Sequence, residues 1–304
     1  MLSTTTPPGW LAFELSILYR FKFASVAIPL MGDPAIGSYL KRRNVRVASN
    51  DILQSDWQRS IGVIQNTAEK LDERDVELIL EDAYIPGYKL TNESLLRYFS
   101  EVDSWWFDNL RRNIDRLDSP FKRAIAASLV FAVGDYVGSF SDDTRELRQP
   151  LSATFRRLLS VMPEPVAGGS GHVCHNKTPD AFVAETFGDV LFLRLPKAEI
   201  GANGSRPWRE EWLRGNAGFW PEFEASTAGK LGRPVETRSQ YVRLVDDLLN
   251  RASNIKQWVI THTDTGVISA QDIAQIVGKH RAVEAIFTKD FSELTGKRAV
   301  IITA

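Results

Sequence analysis

Short apolar runs and long helical stretches alternate along this chain. Phe23–Leu30 (FASVAIPL) has strand length, and so does Val45–Asp51 (VRVASND), which ends on Asn50-Asp51. Between them GDPAIGSYLKRR reads as a turn and a helix. Strand, tight turn, helix and strand in that order open a βαβ unit. A helical pattern then runs from about Leu53 to Leu71, and residues 91–160 read as helical throughout. Leu95, Phe99, Val102, Trp106, Leu110, Ile114 and Leu117 recur at spacings of three and four, which predicts one buried helix face. Ser119-Pro120 starts the next helix, because proline is tolerated in a first turn. Its continuation AIAASLVFAVGDYVGSF is apolar apart from Asp135 and reads as a core helix.

PEPVAGGSG (Pro163–Gly171) is a linker, and beyond it the βα rhythm returns. HVCHN, DVLFL and WVITH read as strands, and PDAFVAETF and SAQDIAQIVGKH as helices. The last helix has Ser269 at its N-cap and Asp272 three residues on, a capping-box spacing. AVEAIF and RAVIITA predict two late strands that close the sheet. The reading is an α/β fold whose sheet domain comes from both ends of the chain, residues 20–90 and 163–304. Residues 91–162 form a helical insertion, and the polar, Pro-rich start makes 1–19 a flexible tail.

Composition narrows the function classes. In 304 residues, Lys+Arg is 37 and Asp+Glu is 38, a net charge of -1. No global basic field draws the protein to nucleic acid or anionic lipid, although Leu40–Arg46 and Arg145–Arg157 are local basic clusters. The single cysteine, Cys174, excludes a disulfide framework. His172 and His175 flank it, but no fourth ligand stands at a zinc spacing, so no metal is expected. No run reaches the roughly 18 apolar residues of a membrane span. The start lacks a basic-then-apolar leader, which makes the cytoplasm the default compartment and a membrane partner unexpected. No Ser/His/Asp or Cys/His constellation and no GxxxxGK[ST] loop is present.

The order and spacing of four segments carry a resemblance. They are IPLMGDPAIGSYLKRRNVRVASND, YFSEVDSWWFDNLRRNID, PDAFVAETFGDVLFLRLP and WVITHTDTGVISAQDIAQIV. Together, over about residues 20–303, they resemble the Dam-like adenine-specific DNA methyltransferases. The resemblance implies a Rossmann-like methyltransferase sheet with helices on both faces. It also implies S-adenosylmethionine as the cofactor and DNA as a partner. Gly32 matches the family's cofactor-loop glycine, Asp51 the acid that accepts ribose hydroxyls, and Asp180 the acid that binds the cofactor's adenine amine. The loop departs from the family pattern, since Leu30 replaces an aromatic residue and Pro34 replaces the second glycine. Proline removes an N–H and fixes φ.

The largest departure follows the DVLFL strand. Where the family has its acid-Pro-Pro-aromatic catalytic motif, this chain reads Arg194, Leu195, Pro196, Lys197. Methyl transfer to an exocyclic amine develops positive charge on nitrogen, so the site must supply acceptors. Arginine and lysine carry donors only. A cation ~4 Å from that nitrogen costs about 1 to 4 kcal/mol at effective dielectrics of 80 to 20. Each missing acceptor costs ~2.7–4 kcal/mol more. Stacking on a flipped base needs an aromatic ring, and position 197 has none. The expectation is a catalytically inactive relative, with no catalytic residue at 194–197, that works by binding DNA or a protein such as an active methyltransferase or a nuclease. Two alternatives stand beside it: an active adenine methyltransferase with divergent motifs, and an unrelated α/β interaction protein. For Arg194 and Lys197, the readings are contact with phosphate or a solvated strand end. Arg206–Trp220 mixes charges with aromatics and reads as an interaction surface.

Overall fold

The computed structural model describes residues 9–84, 88–167, 169, 171–201, 206–263, 267–291 and 297–304. In chain order its elements are α1 (Trp10–Leu18), β1 (Ser25–Ile28), α2 (Ala35–Arg42), β2 (Arg46–Asn50), α3 (Gln54–Ser60), α4 (Glu73–Ile79), α5 (Glu101–Asp115), α6 (Pro120–Gly138) and α7 (Leu151–Ser160). They continue as β3 (Val173–His175), α8 (Pro179–Glu185), β4 (Val190–Arg194), α9 (Trp208–Arg214), α10 (Trp220–Thr227), α11 (Arg238–Arg251), β5 (Gln257–Thr263), α12 (Ala270–Gly278), β6 (Ala285–Phe291) and β7 (Lys297–Thr303). The seven strands form one sheet in the order β3-β2-β1-β4-β5-β7-β6. The first five are parallel, and β7 inserts antiparallel between β5 and β6. This is an α/β fold consistent with a Rossmann-like methyltransferase, as the sequence pattern and the resemblance together imply.

Strand alternation divides the core between two faces. Val26, Ile28, Val47, Val190, Phe192 and Val259 pack with α1 and α2. Ala27, Leu191, Leu193, Trp258 and Ile260 pack with α8, α11 and α12. A strand covered on both faces is apolar at every position, which is why VLFL is a continuous apolar run. The capping box at Ser269 and Asp272 forms as expected. The Ser119 hydroxyl caps α6 with Pro120 in its first turn.

Three expectations change. The tail assigned to 1–19 does not extend to its end. Residues 1–8 lie outside the described residues, but Trp10–Leu18 is a helix with Trp10, Phe13, Glu14, Leu15, Ile17 and Leu18 buried. Val102 is 50% exposed rather than on the buried face. A 3-10 turn at Glu93–Arg97 precedes α5, and Val102 falls in the helix's first turn, so the spacing loses phase between Phe99 and Val102. The helical core also reaches beyond 91–162, taking in Leu71, Val76 and Ile79 before it and Trp212 and Leu213 after it. Among the described residues, no helix is long and apolar enough to cross a membrane.

Candidate functional site

In an open α/β sheet the crevice lies outside the carboxyl ends of the strands, where the connections diverge to either side. Here β2 flanks β1 on one side and β4 on the other, so the divergence falls between β1 and β4. A cavity of about 520 Å³ opens there. Its walls come from Leu30–Asp33 after β1, Asp51–Leu53 after β2, Arg194–Lys197 at the end of β4, and Thr261–Thr263 on β5, with Gly232, Arg233 and Trp10 completing it. Gly32, Asp51 and all four residues of the degenerate motif therefore meet in one place. Asp180 does not. It lies in the first turn of α8 and lines a separate depression of about 110 Å³, with one carboxylate oxygen on Lys230 Nζ at 2.8 Å.

Arg194 is held by protein groups rather than solvated. Its Nε donates to Glu14 Oε1 at 3.0 Å and its Nη2 to Glu14 Oε2 at 2.7 Å, a two-pronged ion pair. Glu14 is fully buried, and Arg194 is only 16% exposed. Trp10 Nε1 at 2.8 Å and Thr261 Oγ1 at 3.3 Å also donate to Glu14 Oε1. The remaining nitrogen, Nη1, donates to the carbonyls of Met31 at 3.3 Å and Asp33 at 3.1 Å. The arginine thus clamps three elements: α1, the loop after β1, and its own strand end. The sequence reading missed Glu14 because it assigned α1 to the tail. The available signal was one carboxylate in the apolar run WLAFELSIL, since a buried charge requires a partner.

The loop after β1 is closed toward the protein. Gly32 has φ 56, a conformation that favours glycine. Its N–H donates to Asp51 Oδ2 at 2.9 Å, and Leu53 N–H donates to Asp51 Oδ1 at 3.1 Å. Both carboxylate oxygens of Asp51 therefore already hold a backbone amide. Burial, with Asp56 next in importance, pushes the Asp51 carboxyl up to about 7. Asp33 Oδ1 accepts from Ala35 N–H at 3.0 Å and faces Arg59 at 4.0 Å. At the other wall, Tyr241 Oη donates to the Pro196 carbonyl at 2.6 Å, which fixes the end of the motif. Lys197 is exposed at the rim.

The aromatics downstream offer no replacement for a base-stacking ring. Trp212 and Trp220 are buried, and Trp208 packs edge-on to Phe99, Phe107 and Phe131. A Cβ on Gly134 would lie 2.1 Å from the Trp208 ring, so α6 needs glycine there to admit it. Arg206–Trp220 is thus largely packing rather than a free surface, although 202–205 lie outside the described residues. Cys174 and His175 are neighbours on β3 and face opposite sides. Ser49 Oγ bonds the Cys174 sulfur at 3.1 Å, and burial pushes the thiol up to about 11. Among the described residues, no group of three or more His, Cys, Asp or Glu side chains is placed to hold a metal.

The chain is 21% identical over 317 residues to "Type II methyltransferase M2.HphI" of Haemophilus parahaemolyticus, an overlap of 95% of this chain and 89% of that protein. No family model matches. The similarity spans both halves of the sheet and the helical segment between them, and the protein is methyltransferase-like in sequence as well as in fold. That makes S-adenosylmethionine the first ligand to test against the cavity. Its size suits one, and the space above Gly32 is open, with no atom within 4 Å of a built Cβ. The Met31 and Asp33 carbonyls beside it accept from Arg194.

Proposed function

We propose that this chain is a non-transferring relative of adenine-specific DNA methyltransferases that acts by binding, as a partner subunit in a DNA modification or defence setting. One observation carries the reading: the residue at the end of β4 is an arginine committed to Glu14 and to the loop after β1. A methylation site at that position would need a carboxylate or amide facing the base. Retaining the sheet while converting its reactive strand end into an internal tie fits a scaffold better than a catalyst. DNA, an active methyltransferase or a nuclease are the partners this reading favours.

The competing reading, a live adenine methyltransferase with divergent motifs, draws on the open space at Gly32. Mass spectrometry of DNA from cells expressing the protein separates the two. The non-transferring reading expects N6-methyladenine no higher than in cells carrying an empty vector. Methylated adenine that disappears when Arg194–Lys197 is replaced by alanines would overturn it.

A further inference from the structure

The charges around the cavity are unequal in kind. Arg194 is neutralised by Glu14. Asp33 has Arg59 nearby, and Asp51 holds two backbone amides in a buried position that pushes its carboxyl up to about 7. Lys197 and Arg233, also on the wall, make no ion pair among the described residues. The Arg233 guanidinium lies 5.0 Å from the Phe223 ring centroid. Burial holds its pKa below the usual arginine value, and Glu224, Glu199 and Glu210 only partly oppose that shift. A half-buried guanidinium with no carboxylate in ion-pair contact among the described residues gains from an anion brought to it. The other wall is apolar, built by Leu30, Met31, Ile52 and Leu195.

We infer that the cavity takes a phosphate-bearing nucleotide, with the base and sugar against the apolar wall and the phosphate between Lys197 and Arg233. S-adenosylmethionine would also bring a carboxylate to these two residues, but its sulfonium and ammonium add positive charge that a nucleotide phosphate does not, so the phosphate is the better match for two cations with no ion pair among the described residues. Guanidinium and ammonium are general phosphate partners. The crevice at a sheet's switch point is where such ligands bind. The phosphate has two sources, a free mononucleotide or a nucleotide of a DNA strand, and the chemistry at Lys197 and Arg233 is the same for both. The inference deepens the non-transferring reading and rests on it for the loss of methyl-donor chemistry.

Titration calorimetry on the full chain tests it with adenosine, adenosine 5′-monophosphate, S-adenosylmethionine and S-adenosylhomocysteine. The expected result is that the monophosphate binds about tenfold more tightly than adenosine, and more tightly than S-adenosylmethionine. Lys197→Gln should remove most of that tenfold margin and leave adenosine affinity unchanged. Arg233→Gln should do the same, and Lys197, being exposed, gives a variant whose folding is not at stake. A short single-stranded oligonucleotide that displaces the monophosphate assigns the phosphate to a strand, and failure to displace it assigns the phosphate to a free nucleotide. Equal affinity for adenosine and its monophosphate, tighter binding of S-adenosylmethionine, or no binding of any of the four would overturn the inference. Methylated adenine in cellular DNA would instead overturn the non-transferring reading, whatever these affinities are.

Discussion

Two buried glutamates in this molecule have nearly the same surroundings. Glu14, beside the cavity, accepts from a tryptophan indole, a hydroxyl and an arginine. Glu211, in the helical part, accepts from Trp220 Nε1 at 2.7 Å, from Tyr98 Oη at 3.1 Å and from Arg97. Both carboxylates are fully buried. The arginines differ. Arg97 is 50% exposed and engages Glu211 with one nitrogen, whereas Arg194 is 16% exposed and engages Glu14 with two. Arg194 also reaches the carbonyls of the cavity-lining loop after β1. The same device ties the fold in one place and joins a cavity-lining loop to a strand end in the other. The difference lies in what the spare nitrogen reaches.

Replacing each arginine with alanine sharpens the contrast. Arg194→Ala leaves Glu14 buried without its cation and should cost about 3–5 kcal/mol in urea unfolding. It should also loosen the loop after β1. The Asp51 carboxyl supplies the next effect. Its ordinary value is 3.8 and its folded value about 7. Between those values the folded state keeps a proton that the unfolded state has released, so stability falls as pH rises. The slope approaches about 1.4 kcal/mol per pH unit for one such group. Asp56 is raised in the same direction by burial. Asp51→Asn should therefore flatten the decline between pH 4 and 7 without abolishing it, and melting curves across that range read it directly. A stability that rises through this window would contradict the burial argument. Arg97→Ala should have the smallest effect, about 1 kcal/mol, because Arg97 is itself half-exposed and reaches Glu211 with a single nitrogen. A loss at Arg97 equal to that at Arg194 would erase the distinction between the two glutamates.

The parts of this structure that were legible in the sequence share a physical cause. Strands buried on both faces leave continuous apolar runs, and VLFL and WVI are examples. Caps leave short polar signatures, as at Ser119 and Ser269. The donor-only character of Arg194 and Lys197 was equally visible, since donor and acceptor capacity follows from residue type. The fate of Arg194 was not visible, because its partner lies 180 residues away. The helix that carries Glu14 is buried on several sides and lacks the polar stripe that marks a surface helix. The edge strand β6 was only half legible. Its middle is a run of exposed polar residues, Thr288, Lys289 and Asp290, and its place depends on pairing with β7. Asp180 matched the family by spacing, yet Lys230 and the depression beside it lie outside the cavity.

The central claim is that Arg194 belongs to Glu14. A double-mutant cycle of Glu14→Ala and Arg194→Ala, read by chemical unfolding, measures that ownership. The account predicts a coupling of about 2–3 kcal/mol, with the double variant more stable than the two single losses would sum to. Losses that add to within about 0.5 kcal/mol would mean that the two side chains do not depend on each other, and Arg194 would be free to serve a substrate.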